Sequence, residues 1–564
     1  MRAANGSRVA RRRIRATIDD SFGIDVRALA LFRLGLGVVL LSDVLKRVIS
    51  LEAHYSDAGV LPRASLAAIR PGPGVFRLYV LSGDLWAQAL LFTVAGLLAV
   101  ALIVGLKTRL ATLLSLWLLV SVQARNPLVC HTGDSLLAVL TFWALFLPLG
   151  ATASVDRIVS GRVPPRRVCS FGSAGLLLQI ATFYLGAGLL KLKHEIWTSG
   201  RAVDLFLDID MYTNRFGEWV GDNLSGVGPV LTYGTLAVEC VGPLVLLLSF
   251  GRPYVRTATV LAFIAFHLGI QLMIHIGLFE ILSIVAVSVF LPSWFFDRLG
   301  ARAPEGASTR FDRSQPPQPW ARRLREAVAA ASLVLVLAAW GANTFGGGPL
   351  PLGYLRGLAM HLALTQKWSI FTSIDRQQRG WFLVVGETEA GSRVDVLEGG
   401  DLGPIVRPAH FSETYPNHNW RRFWNLMALR TYRPFRVGLA AYLCREWDDQ
   451  RPSRLRRLAI FHLLEPEKGG PPSRTLLLAH ECGSSRRSRG IEGRPRTSRA
   501  GTVVVSRPSR GRGRGRAARE RHAAPSHAQR VAVEAVGQER ERNARGRVGP
   551  ADLPASAAVA EGLG

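Results

Sequence analysis

Apolar stretches long enough to cross a bilayer recur along this chain from about residue 28 to residue 345, and that leaves few folds open to it. Hydrocarbon is roughly 30 Å thick, about 20 helical residues, and a helix satisfies its own backbone there without water. Nine runs approach this length: Ala28–Leu45, Ala87–Leu106, Leu110–Val122, Ser135–Leu149, Ser173–Leu190, Gly228–Phe250, Thr257–Ile274, Gly277–Leu291 and Val328–Phe345. The expected fold is an all-α polytopic membrane bundle of about nine spans, set in the cell membrane. The leader, residues 1–24, is basic (Arg8, Arg11, Arg12, Arg13, Arg15), and the run behind it is too long for a cleaved signal peptide. It reads as a retained first span of a membrane domain covering 25–345.

The connections carry an independent signal. Basic residues cluster in the leader, at Lys107 and Arg109, at Arg157, Arg162, Arg166 and Arg167, at Arg252 and Arg256, and from Arg298 to Arg325. These are alternate loops, so the positive-inside rule places them in the cytoplasm, with the N-terminus, although Lys46 and Arg47 run against the pattern. An odd span count then puts everything after Phe345 outside the cell.

Residues 346–470 read as a small α+β extracytoplasmic cap opened by Gln366–Ile374. Gly380–Glu387 and Arg393–Leu397 alternate like strands joined by a turn at Thr388–Ser392, Arg433–Trp447 has helical spacing, and Leu458–Leu464 reads as a further strand. Residues 471–564 read as a disordered tail, because the segment beyond Ser484 has no aromatic residue and is rich in Arg, Gly, Ala and Pro. That segment holds 18 Arg, no Lys and seven acidic residues, +11 of the chain's formal +28. Its Arg510–Arg516 run looks superficially like an RNA-binding segment, but the orientation places it outside, and no nucleic-acid partner is expected. The five cysteines form no ligand spacing, so no metal is expected. Cys444 and Cys482 lie beyond the last span and are placed to pair if exported.

Ionisable residues inside spans cost free energy and invite a reason, most often a structural hydrogen bond between helices. Glu239 and His267 lie mid-span, His275 and Glu280 bracket an outer turn, Arg33 and Asp43 share the first span, and His131 and Asp134 open the fourth. Lys191 ends the fifth span, where it reaches up to the headgroups, finds a partner or, desolvated, sheds its proton and becomes a base. In this topology Lys191, His267, His131, Asp134 and Glu280 share the outer half, which suggests an acid/base site open to the exterior.

Particular stretches point to a family. Leu31-Phe32-Arg33-Leu34-Gly35-Leu36-Gly37, Tyr55-Ser56-Asp57-Ala58-Gly59-Val60-Leu61-Pro62-Arg63 and Gly105-Leu106-Lys107-Thr108-Arg109-Leu110 resemble the horizontally transferred transmembrane (HTTM) domain of vitamin K-dependent gamma-carboxylases and their bacterial relatives. Tyr184-x-x-Ala187-Gly188-x-x-Lys191-Leu192, followed by Trp197 and Gly200, resembles the carboxylase segment bearing the base lysine, which falls on Lys191. Phe266-His267 with Ile276-Gly277-x-Phe279 resembles a second carboxylase segment, and Gln366-Lys367-Trp368-Ser369-Ile370-Phe371 the C-terminal part of bacterial members. The resemblance implies that Lys191 deprotonates a reduced vitamin K hydroquinone or menaquinol. Reaction with O2 then yields a base strong enough to remove a glutamate γ-proton, CO2 adds, and an epoxide remains. It further implies Lys191 as the catalytic base, with His131, Asp134, Trp197 and His275 around the quinone; His267 is inferred to be the second catalytic residue, stabilising developing negative charge or positioning the quinone. For the histidine that carboxylases carry near the start of the fourth span, His131 and Asp134 both remain open.

The implied partners are membrane lipid, an isoprenoid quinone and an exported protein substrate. A lipid- or quinone-binding protein without turnover is the alternative. A transporter is a second alternative, kept by Glu239, against which stands the absence of an inverted repeat or paired broken helices.

Overall fold

The computed structural model describes residues 13–14, 16–69, 77–161, 163–209, 211–224, 226–301, 319–346, 364, 366, 368–373, 380–408, 414–464 and 472–483. Each of the nine apolar runs is helical: α1 (Val26–Val48), α2 (Leu85–Val104), α3 (Thr108–Arg125), α4 (Thr132–Ala144), α5 (Phe171–Lys191), α6 (Val227–Leu248), α7 (Pro253–Met273), α8 (Phe279–Ser288) and α9 (Pro319–Phe345). Among the described residues six of them, α1, α2, α5, α6, α7 and α9, are long and apolar enough to cross a membrane, not nine. Those expected from Leu110–Val122, Ser135–Leu149 and Gly277–Leu291 are helices of 18, 13 and 10 residues. Burial explains the difference. α4 and α8 are wrapped by other helices, and α3 buries Thr112, Ser115, Ser121 and Arg125, whose polarity breaks its apolar run. The membrane-length helices instead leave Leu97, Val230, Leu244, Leu261, Leu272 and Val334 exposed, as a lipid-facing surface requires.

The basic loops gather at one end of the bundle. Arg167 donates to the backbone of Asp19 and Gly23, Arg256 to the carbonyls of Asp20 and Ser21, and Arg27 and Arg166 both pair with Asp297. At the same end the Gly105-to-Leu110 stretch is the corner between α2 and α3. Gly105 takes φ +75° and leaves no room for a Cβ beside the buried Arg33 guanidinium, while Asp156 caps the start of α3 by accepting from Lys107 and Thr108 N–H at 2.7 and 2.9 Å.

At the opposite end sits the cap. Strands β1 (Trp381–Thr388), β2 (Arg393–Asp395), β3 (Gly400–Asp401), β4 (Leu455–Leu464) and β5 (Ser473–Glu481) form an antiparallel sheet in the order β3-β2-β1-β4-β5, against helices α10 (His418–Ala428) and α11 (Arg436–Gln450). Cys444 and Cys482 are joined in a disulfide that ties α11 to the end of β5. Two expectations shift. β5 lies inside the segment read as tail, so the sheet continues past residue 470, and α10 was not foreseen. Residues from 484 onward, and with them the expected disordered tail, lie outside the described residues. Gln366 and Trp368 belong to the bundle rather than opening the cap. Gln179 donates to Gln366 Oε1 at 2.6 Å, and Trp368 packs edge-on against Phe183. One apolar core holds Phe423, Met427, Leu439 and Ile460 of the cap together with Tyr55 and Val129 of the bundle's loops, so cap and bundle end are one packed layer.

Candidate functional site

Helix α5 is the most enclosed span, and its small residues explain why. A Cβ on Gly188 would lie 2.6 Å from Cys240 Sγ and 3.1 Å from Glu239 Cβ, and one on Gly186 would lie 2.7 Å from Trp340 Nε1. The close approach of α5 to α6 that these glycines permit brings the next turn of α5 onto Glu239. There Lys191 Nζ donates to both carboxylate oxygens, each at 2.7 Å, and sits 5.1 Å from the centre of the Trp197 ring. Lys191 is 2% exposed. Of the three outcomes open to this amine, the structure gives it a partner, a carboxylate. It neither reaches the headgroups nor faces open solvent.

Two turns earlier on α5, Tyr184 Oη meets His267 Nε2 of α7 at 2.7 Å. The other ring nitrogen, Nδ1, is held by Glu280 Oε2 from the first turn of α8. A carboxylate on one imidazole nitrogen fixes the ring and makes a proton on Nδ1 favourable, leaving Nε2 to face the tyrosine hydroxyl. His267 and Glu280 are buried, Phe279 packs against the His267 ring and Phe263 against Tyr184, and Glu239 lies near enough to interact electrostatically with both His267 and Glu280. Two hydrogen-bonded sets on neighbouring helices thus make one buried acid/base cluster.

Between this cluster and the cap lies a cavity of about 190 Å3, walled by Phe206, Tyr212, Phe279 and Phe371 with His131 and His418 at its polar side. Phe371 links it to the lysine, because its carbonyl accepts from Trp197 Nε1 at 2.8 Å. His131 N-caps α4, its Nδ1 accepting from Gly133 N–H at 3.0 Å, and its ring stands edge-on to His418 with centroids 4.7 Å apart. Gly277, at φ +80°, runs beneath both imidazoles, and a Cβ there would lie 3.3 Å from His418 Cδ2. Burial and the neighbouring His131, Arg421, Arg422 and Lys46 hold the His418 pKa well below the usual histidine value, so the ring is neutral at physiological pH.

Of the residues singled out from sequence, Lys191, His267 and Trp197 come together in the buried cluster, and His131 lines the cavity. Asp134 does neither. It accepts the His131 backbone N–H at 2.8 Å and pairs with Arg47, which also holds Asp43 and Tyr55, so its carboxylate is already partnered. His275 is exposed and does not line the cavity; its backbone donates to the Tyr212 carbonyl and accepts from Arg421. The site expected to open to the exterior is closed, with His267 only 1% exposed. Sequence reasoning assigned no role to Tyr184, noted Glu239 and Glu280 without partners, and passed over His418, Arg421 and Arg422. For Glu239 the available signal was its depth in an apolar helix, and for Glu280 its place at the start of one. For the cap residues there was none, since their approach to His131 is purely tertiary.

The family model described as HTTM domain matches residues 23–294, which contain Lys191, Glu239, His267, Glu280 and His131. No curated protein and no solved structure matches the chain.

Proposed function

We propose, on the premise that this chain is an HTTM-domain integral membrane protein, that it is an enzyme whose Lys191–Glu239 pair takes a proton from a reduced isoprenoid quinone to drive carboxylation of a glutamate, or a related oxidation. The carrying observation is the 2.7 Å contact of Lys191 Nζ with both Glu239 oxygens inside a membrane bundle. In a low-dielectric site an ion pair and its neutral form lie much closer in free energy than in water, so the proton can rest on either partner. With the proton on Glu239, Lys191 presents a lone pair to the quinol. Once Lys191 has taken the quinol proton, the pair holds one proton more than the ion pair, and release of the Glu239 proton to solvent returns it to the starting state. His267, oriented by Glu280 and Tyr184, is placed to stabilise negative charge that develops beside it.

The residues present fit a quinone. Four aromatic rings wall the cavity, Ser369 and Thr372 hydroxyls line it, and Lys191 lies one aromatic layer behind, at Trp197. A bound vitamin K hydroquinone or menaquinol would supply the reducing equivalents for O2, with CO2 as second co-substrate. Trp197 and Phe371 would then gate the amine, since they stand between it and the cavity.

The orientation belongs to the same reading, with the cap outside the cell membrane and the basic loops in the cytoplasm. It is supported by the disulfide in the cap, a bond that persists in oxidising compartments, and by the gathering of basic loops at the far end. An exported protein would then present its glutamate from the cap side.

One observation favours the alternative of a quinone- or lipid-binding protein without turnover: both oxygens of Glu239 close off Lys191. Membranes containing the protein, incubated with reduced menaquinone or vitamin K, O2 and bicarbonate, separate the two. Quinone epoxide is the expected product. Quinol binding without epoxide, where a control carboxylase turns over, would assign the alternative.

A further inference from the structure

The cavity beneath the cap carries charge that quinone chemistry does not use. Two of its lining residues, Arg421 and Arg422, are cationic, His131 and His418 add neutral imidazoles, and among the described residues no aspartate or glutamate lines it. Three helices also begin there: α4 with Thr132 and Gly133, α8 with Phe279 and α10 with His418, so their positive dipole ends converge on one space. The donors are left over as well as close. Arg421 is 7% exposed, is anchored through one terminal nitrogen to the carbonyls of Met211 and His275, and keeps a buried Nε with no partner among the described residues. Both ring nitrogens of His418, one of them the N–H donor of the neutral ring, are also buried and without a partner among the described residues. Buried donors are nearly always satisfied in native proteins, so this set calls for an acceptor with several oxygens. The lining also includes the apolar side chains of Phe206, Ile276, Phe279 and Ile370.

We infer that this cavity binds a phosphate group, carried on an apolar body or free, with His418, Arg421 and Arg422 as its ligands. Tetrahedral oxygens suit donors that approach from three helices, and guanidinium groups are the usual partners of phosphate. Arg421 is the fixed ligand, because its backbone contacts hold it before anything binds. Arg422, attached through Nε to the Cys130 carbonyl at 3.2 Å, and His418 complete the cradle.

The test uses the full chain in a phosphate-free detergent. Thermal unfolding is followed against inorganic phosphate, dihexanoyl phosphatidic acid, dihexanoylglycerol and acetate, all at matched ionic strength. Phosphate should raise the melting temperature saturably, and His418→Gln and Arg422→Gln should each move the titration midpoint at least about tenfold higher, the loss of one charge-assisted hydrogen bond. Arg421 is left intact because it also braces the fold. Phosphatidic acid acting at lower concentration than phosphate, with dihexanoylglycerol inert, identifies a lipid headgroup as the source, and the reverse order identifies free phosphate. No saturable shift, an equal response to acetate, or unchanged midpoints in both variants would overturn the inference. Binding is read without turnover, so this result and the quinone reading fail separately.

Discussion

Glu239→Leu strips Lys191 of its carboxylate while leaving the helix packing largely in place. Lys191 is 2% exposed, and its remaining cation partner is the Trp197 ring at 5.1 Å. Removing one member of a buried ion pair costs about 3–5 kcal/mol. The orphaned amine has one escape, which is to release its proton. For an amine that titrates near 10.4 in water, release at pH 7 costs about 4.6 kcal/mol, which bounds the penalty from above. In the variant the folded state binds fewer protons than the unfolded state, so its stability rises with pH until the unfolded amine itself titrates. The penalty therefore shrinks to about 2 kcal/mol at pH 9. Lys191→Met combined with Glu239→Leu leaves no orphan, and its cost should fall well below that of either single change. Unfolding of the four proteins in mixed micelles at pH 7 and pH 9 gives the double-mutant cycle. A Glu239→Leu penalty below about 1 kcal/mol at pH 7, or a pH-independent penalty with additive behaviour, would refute the buried pair.

Gly188→Ala should cost about 1–3 kcal/mol by overpacking, because its Cβ would lie 2.6 Å from Cys240 Sγ; melting temperature reads it, and an unchanged value would mean α5 and α6 are not in close contact. Removing the Cys444–Cys482 bridge, which closes a 38-residue separation, should cost the cap about 4 kcal/mol, visible as faster hydrogen exchange along β4 and β5. His54, buried against Trp420 and Phe423 outside the spans, has its pKa pushed down to about 3 by burial and the nearby Arg47, and His418 moves the same way. Both are neutral when folded, so their contribution is full above about pH 6.5 and declines as the unfolded state gains protons on the way down toward pH 3. Denaturation at pH 7 and pH 5 should show lower stability at pH 5, and a flat or inverted profile would contradict the neutral histidines.

What the sequence disclosed follows the physics of each signal. Apolar runs mark helices directly, and loop charge sorted the two ends of the bundle, because both signals are local. Helix length was less legible, since α4 and α8 are apolar through burial by other helices rather than by lipid. Lys191 and His267 were visible because an ionisable residue in an apolar run stands out. Their partners were visible only as isolated residues: nothing along the chain says that Gly188 lets Glu239 reach Lys191, or that Glu280 lies behind His267. Asp134 was read as part of the site because its partner, Arg47, is distant in sequence and counted only as a loop charge. His418, Arg421 and Arg422 looked like an ordinary polar stretch, and only the folding of the cap over His131 gives them a common target.

The most direct measurement compares quinol oxygenation by the wild-type chain and Lys191→Ala, each reconstituted in proteoliposomes with reduced menaquinone or vitamin K, O2 and bicarbonate. The account predicts epoxide from the wild type and none above background from Lys191→Ala, with the variant still folded in the membrane and still binding quinol. Equal product from both would contradict it and remove Lys191 from the chemistry.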